Sequence, residues 1–229
     1  MRRGATVQER IVDLIHDRQL APGAAMPTEP QLMDLLGASR NSVREAIRAL
    51  QALGIVEIRH GFGTYVGNAS LEVLGPSLQF RIRSGTEGGI HALRDLVEVR
   101  ELLETGLIAQ VAKTTSPGKL SALDALVTAM QQDLQADRAF HGLLYESLGN
   151  ELVLQLIDLF WQVYHKVEPL LGEPEDRTEE IVANHRRIVD ALRKHDAGAA
   201  QEAMRRHFRD VKARVARAAV TTAQATVSS

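Results

Sequence analysis

Four side chains in the C-terminal half, Asp137, His141, His185 and His207, have the spacing most suggestive of chemistry. Asp137 and His141 are four apart in a segment of helical period, so both project from one face, one turn above the other. His185 and His207 lie on successive helical segments joined by a turn around His195-Asp196-Ala197-Gly198, and they are equidistant from Asp196. In an antiparallel helical hairpin such residues sit at the same height, which lets both imidazoles face one spot. One carboxylate and three imidazoles with no thiol suit a borderline divalent ion: zinc, with nickel, cobalt or manganese as alternatives. Singly, each histidine reads as an ordinary surface or core residue, and an Asp/His pair one turn apart can be a plain helix-surface contact. The joint placement carries the metal reading, because His16, His60, His91, His165 and His195 show no such arrangement.

A second chemistry sits near the N-terminus. Thr28 is placed as a helix N-cap, with Glu29 and Pro30 in the first turn, Leu32, Leu35 and Leu36 at helical spacing, and Gly37 as the stop. Ser39 then caps a second helix, in which Val43, Ala46, Ile47 and Leu50 share one face while Arg40, Asn41, Ser42, Arg44 and Arg48 share the other. Two short helices joined by a tight turn, the second exposing arginines and small polar groups, have the form of a helix-turn-helix. Two strand-like runs, Ile55 to Arg59 and Thr64 to Val66, flank His60-Gly61-Phe62-Gly63 and predict a hairpin, a wing.

The rest of the chain must position these two sets. At 229 residues and 45% hydrophobic it can bury a substantial core. It has no window of membrane-spanning character, its first residues lack the apolar stretch of a signal peptide, and it contains no cysteine, so a cytoplasmic protein without disulfides or thiolate chemistry is expected. A net charge of −2 argues against a general nucleic-acid coat, since nonspecific affinity needs many neutralised phosphates. Residues 1–66 hold eight basic against seven acidic side chains, and what matters is that four of the eight, Arg40, Arg44, Arg48 and Arg59, sit on the second helix and the wing.

The fold expected is mainly α. Residues 4–69 form a winged helix-turn-helix of three helices plus a β-hairpin, with a leading helix over 7–20, the helix-turn-helix over about 28–50 and the wing over about 55–66. Small and turn-prone residues make 70–77 a linker. Helical periodicity over 78–83, 90–113, 117–134, 137–148, 151–167, 178–194 and 197–220, without strand alternation, predicts an all-helical bundle over 78–220. Residues 221–229, small and polar, read as a flexible tail.

The N-terminal segment resembles the winged helix-turn-helix of the GntR family of bacterial transcription regulators, through Leu20-Ala-Pro-Gly23, Pro27-Thr-Glu29, Leu35-Leu-Gly-Ala-Ser-Arg40, Val43-Arg-Glu-Ala-Ile47, Leu53-Gly54 and Gly61-Phe-Gly-Thr64. The C-terminal segment resembles the FCD ligand-binding domain of the FadR subfamily, through Val99-Arg100 with Glu104, Asp137-Arg-Ala-Phe-His141, Ser147-Leu-Gly-Asn150, Asn184-His185-Arg-Arg-Ile188, Asp196 and His207. The resemblance implies a metabolite-responsive regulator that binds double-stranded operator DNA as a homodimer. Carried over by position, Arg40 and Arg44 contact bases or phosphates in the major groove, Ser39, Asn41 and Ser42 hold phosphates, and His60 with Gly61 enters the minor groove. Arg48, one turn on, reads as solvated or phosphate-contacting. Pro30 departs from the arginine common in the family at that position, which removes the guanidinium from that DNA contact and leaves Gln31 as a partial substitute.

The same resemblance places a metal on Asp137, His141, His185 and His207, and a small carboxylate effector, of hydroxy-acid or sugar-acid class, beside it. Arg100 matches the family arginine that pairs with the effector's carboxylate; its alternative is an ion pair with Glu104. Asn150 reads first as a helix cap and second as an effector contact. Trp161 and Tyr164 line the cavity or belong to the core. The segment between Lys113 and Asp137 is shorter than the family pattern. Expected is a repressor, not an enzyme, released from its operator by the effector; the alternatives are a metal-dependent hydrolase-like enzyme with an accessory DNA-binding domain, because an ion with open positions can activate water, and a constitutive DNA-binding dimer.

Overall fold

The computed structural model describes residues 5–84, 87–133, 135–171 and 178–227. The chain divides into two compact units, Met1–Val73 and Leu74–Ser229. That division falls inside the segment expected as a linker.

The first unit begins with α1 (Val7–Asp17), entered through a capping box in which Thr6 and Glu9 satisfy each other's backbone amides. It stops short of the expected Leu20, because Gln19 turns left-handed at φ 52° and the Leu20 amide folds back onto the Ile15 carbonyl at 3.0 Å. α2 (Glu29–Leu36) has a second capping box, Thr28 with Gln31, and ends at Gly37, whose φ of 55° suits glycine. α3 (Arg40–Ala52) follows from its Ser39 cap. Val43, Ala46, Ile47 and Leu50 are all buried, and with Ile11, Ile15, Leu32, Leu36, Val56 and Val66 they make one hydrophobic core. Leu35 points outward instead. β1 (Val56–Arg59) and β2 (Gly63–Val66) pair antiparallel as the wing, and Ala25 bridges to Tyr65 on the far edge of β2, an extra rung that no hydrophobic alternation announced.

The segment expected as a linker, which contains the boundary between the two units, is helical. A 3-10 turn over Leu71–Leu74 leads into α4 (Gly75–Ile82). Asn68 accepts from the Ser70 amide, Ser70 from the Glu72 amide, and Pro76 supplies a helical φ in the first turn of α4. Local capping thus overrides the turn-prone composition. α5 (Glu87–Thr114) is the longest helix described; it buries Leu93, Val97, Arg100, Glu104, Ile108 and Val111 along one stripe, against which α7 (Gln135–Glu146), α8 (Glu151–Val167), α9 (Thr178–Arg193) and α10 (Ala197–His207) pack. α6 (Pro117–Ala129) packs on α7 and α9 and ends before the expected Leu134, which lies outside the described residues.

The expected single helix over 197–220 is two. α10 ends at Phe208, a buried residue, and α11 (Arg209–Val227) sets off to pack on α5. No glycine or proline marks this break; its cap, Phe208, is a buried aromatic. α11 also runs through most of the expected tail, since its alanines and lack of glycine or proline favour continued helix. Met1–Gly4 and the last two residues of the tail lie outside the described residues.

Candidate DNA-binding face and metal centre

In the first unit, burying the apolar face of α3 necessarily turns Arg40, Asn41, Ser42, Arg44 and Arg48 to solvent. Ser39 Oγ accepts the Ser42 amide at 3.2 Å and lies 2.9 Å from Ser42 Oγ, so two hydroxyls and the free amides of the first turn form one anion-facing end. Arg44 Nε donates to Glu29 Oε2 at 2.8 Å, which anchors the guanidinium to α2 while its side chain stays half exposed. Arg48 pairs with Glu45 on its own helix. At the wing tip His60 and Gly61 are exposed, Gly61 has φ 80°, and the Phe62 amide closes the turn on the Arg59 carbonyl. Pro30 occupies the first turn of α2, and the carbonyl oxygen of Gln31 is taken by the capping box, leaving only its amide hydrogens for the contact expected there.

In the second unit α7, α9 and α10 bring the four predicted ligands together. Asp137, His141, His185 and His207 each offer an atom, and these atoms all lie within 4.8 Å of one another. His207 owes its place to being the last residue of α10, and its ring centroid lies 4.4 Å from that of His185 and 5.0 Å from that of His141. Three of the four ligands are held from behind. His141 Nδ1 bonds Glu104 Oε2, His185 Nδ1 donates to the Ile181 carbonyl at 2.8 Å, and Asp137 Oδ2 accepts from Trp161 Nε1 at 3.0 Å.

The donor chemistry tests whether an ion fits. A carbonyl only accepts, so Ile181 fixes the proton of a neutral His185 on Nδ1 and turns the Nε2 lone pair to Asp137 Oδ1, 2.9 Å away. Two acceptors then face each other, an arrangement that a cation or a second ring proton relieves. His141 Nε2 is fully buried, has no hydrogen-bond partner and stands 3.7 Å from the same carboxylate oxygen. Ring orientation by partners on the far nitrogen is the usual support of a histidine ligand. The residues present therefore fit a divalent ion.

Electrostatics agree. Burial disfavours the Asp137 charge, but where ring protons of His185 and His141 stand in for an ion, they and Arg100 together outweigh it and hold the carboxyl well below its usual range. Glu104 is likewise opposed by burial and held ionised by His141 and Arg100, at about 2. Burial, with His185 and His141 beside it, pushes His207 well below the usual imidazole range, so it presents a neutral ring.

A cavity of about 340 Å³ opens on the cluster. Arg100 lines it; Nε donates to Glu104 Oε1 at 2.6 Å while Nη2 is buried without a partner. The two roles weighed for this arginine, ion pair and anion anchor, are thus available at once. Asn150 does not line the cavity: its side chain accepts the Val153 amide as the cap of α8, so it serves as the cap and not as the expected effector contact. Tyr164 does line it, whereas Trp161 sits behind Asp137. Asn184, His165, Glu168 and Arg214 also line it and carried no signal of their own beyond type, although Asn184 stands next to a ligand. Met130 to Asp133, in the shortened segment, form part of the rim.

Geometry and fold define a class: a winged-helix DNA-binding unit joined to a helical effector-binding unit. Residues 3–66 match the bacterial regulatory proteins of the gntR family, and residues 95–210 match the FCD domain. The chain is 28% identical over 214 residues to the HTH-type transcriptional regulator YcbG of Bacillus subtilis, covering 91% of this chain and 88% of that one. It is 27% identical to the HTH-type transcriptional repressor NanR of an Enterobacter species, covering 90% and 83%. A solved GntR structure from Streptococcus agalactiae superposes with a TM-score of 0.63 at 28% identity, over 90% of this chain and 97% of that one. The chain belongs to the GntR family of transcription regulators, in the FadR-type arrangement with an FCD domain, and is a metabolite-responsive DNA-binding regulator. No helix of the described residues is long and apolar enough to cross a membrane.

Proposed function

We propose that the protein is a homodimeric repressor that releases its operator when a small carboxylate, of hydroxy-acid or sugar-acid class, binds beside a divalent ion, zinc by preference. Two buried atoms without partners carry this reading: His141 Nε2 in the ion cluster and Arg100 Nη2 on the wall of the same cavity. Asp137, His141, His185 and His207 would hold the ion, which supplies a Lewis-acidic position for carboxylate and hydroxyl oxygens. Arg100 offers the effector a charge-assisted hydrogen bond in a dry site, where such bonds are strong. In the DNA-binding unit, Arg40 and Arg44 read bases or phosphates, Ser39, Asn41 and Ser42 receive phosphate at the start of α3, and His60 with Gly61 approaches the minor groove. Operator binding places this work in the cytoplasm.

The effector changes DNA affinity only through its differential affinity for the two states of the protein. A regulator without turnover is favoured over a hydrolase because both oxygens of Glu104, the carboxylate bonded to the ligand His141, are already engaged by Arg100 and His141, leaving neither free to take a proton from water. The repressor sign follows the named relative NanR. The test is elemental analysis of protein purified without added chelator, followed by a thermal-shift screen of hydroxy and sugar acids. The expected result is about one divalent ion per chain and a melting temperature raised by an acid only in the ion-loaded protein. Protein that takes up no ion, or acids that stabilise chelated and loaded protein alike, would overturn it.

A further inference from the structure

Glu104 is fully buried on α5, and its two oxygens serve different halves of the site. Oε2 meets His141 Nδ1, and Oε1 accepts Arg100 Nε at 2.6 Å. We propose that Glu104 is a positioning residue that makes His141 an ion ligand and locks that choice to the effector anchor Arg100. The inference rests on the ion reading above and adds a residue that neither coordinates nor touches the effector.

The argument is one of donors and acceptors. A carboxylate has no proton, so at His141 it selects the ring with hydrogen on Nδ1 and the lone pair on Nε2, the nitrogen buried without a partner among the ligands. Arg100 has only donors, so whatever occupies position 104 must turn an acceptor toward it. A carboxylate meets both demands at once; a carboxamide cannot. In Glu104→Gln the guanidinium claims the amide oxygen, and the NH2 is forced onto His141 Nδ1. That nitrogen must then accept, the ring proton moves to Nε2, and a protonated Nε2 cannot ligate. The identity of the group beside Arg100 thus decides whether a ligand exists on the other side. Charge runs the same way: Asp137, Glu104 and Arg100 sum locally to one negative charge, and a divalent ion held on the cluster offsets it, which makes that end of the cavity more attractive to an anionic effector.

Zinc affinity, measured by competition with a chelating dye on the full-length protein, tests this directly. Glu104→Gln is expected to weaken zinc binding by roughly 10- to 100-fold, the usual effect of losing a partner that orients a ligand. The decisive variant is the double change Arg100→Met, Glu104→Gln. With the guanidinium gone, the amide can turn its oxygen back to His141, and most of the zinc affinity returns, a coupling that a merely structural role would not produce. Ring nitrogen NMR of the zinc-loaded wild type, which needs no variant to fold, is expected to show the His141 proton on Nδ1. Wild-type zinc affinity in Glu104→Gln, no recovery in the double variant, or a His141 proton on Nε2 would each overturn the proposal. A wild-type protein that takes up no zinc would instead defeat the ion reading itself, and this inference along with it.

Discussion

Replacing Arg44 by alanine is the sharpest test of the DNA-binding face. Its Nε is held by Glu29 at 2.8 Å, so the guanidinium is fixed in orientation while its two terminal nitrogens remain for DNA. Those two donors match the O6 and N7 acceptors of guanine, and a good bidentate pair discriminates by about 1–3 kcal/mol, or roughly 5- to 150-fold. Arg44→Ala is therefore expected to lose that factor on an operator selected from random duplexes and to lose far less on scrambled DNA. Arg44→Lys recovers little, since a point charge cannot reproduce the fork. Glu29→Gln removes an exposed pair worth at most about 1 kcal/mol, so its effect is a few-fold loss of discrimination. Arg48, paired with Glu45 and largely exposed, serves as the contrast: Arg48→Ala weakens all sequences alike and lowers the slope of log affinity against log salt by about 1. The assay is fluorescence anisotropy at several salt concentrations. Equal losses for Arg44→Ala on operator and scrambled DNA, with a reduced salt slope, would make Arg44 a phosphate contact and refute the reasoning.

Three further outcomes are expected. Zinc at a hundred times its dissociation constant stabilises the folded state by about 2.7 kcal/mol, a rise in Tm of about 5–11 °C for a unit of this size, whereas His185→Ala with a hundredfold weaker site gains about 0.4 kcal/mol and under about 2 °C; calorimetry with and without chelator reads the difference. Ile47, buried in the core of the DNA-binding unit, costs about 2–5 kcal/mol when cut to alanine, seen as a lower urea midpoint for that unit with zinc affinity unchanged. Glu168 is held below its ordinary 4.5 by a hydrogen bond from His165 and, against the opposing pull of burial, by Arg214. Its folded value lies below its unfolded one, so it stabilises above about pH 4.5 and that contribution is lost as pH falls through the folded value; Glu168→Gln is expected to flatten this part of the acid-unfolding curve.

The DNA-binding unit was largely legible in the sequence because its signals are local. The Thr28 and Ser39 caps, the Gly37 stop and the Val43, Ala46, Ile47, Leu50 stripe each act within a few residues, and each is where expected. The four-residue cluster was legible through spacing about the Asp196 turn, which a helical hairpin converts directly into proximity. What sequence could not show depends on partners distant in the chain. Glu104 meets His141 across 37 positions, Trp161 meets Asp137 across 24, and neither separation leaves a periodic trace. The break at Phe208 was hidden because no glycine or proline marks it, and the helical stretch after Ser70 was hidden because Asn68 and Ser70 accept backbone amides within a loop-like composition. Asn150 shows the converse: a residue read two ways, whose local capping role proved sufficient.

Operator affinity in the presence of chelator, of zinc alone, and of zinc with an acid identified by thermal shift puts the whole account to the test. Coupling of about 1–3 kcal/mol predicts a roughly 5- to 150-fold weaker operator complex only when zinc and acid are both present, and no such change in His185→Ala, whose operator affinity without ligand stays at the wild-type value. An operator affinity indifferent to the acid in zinc-loaded wild-type protein, or an equal response in His185→Ala, would contradict it.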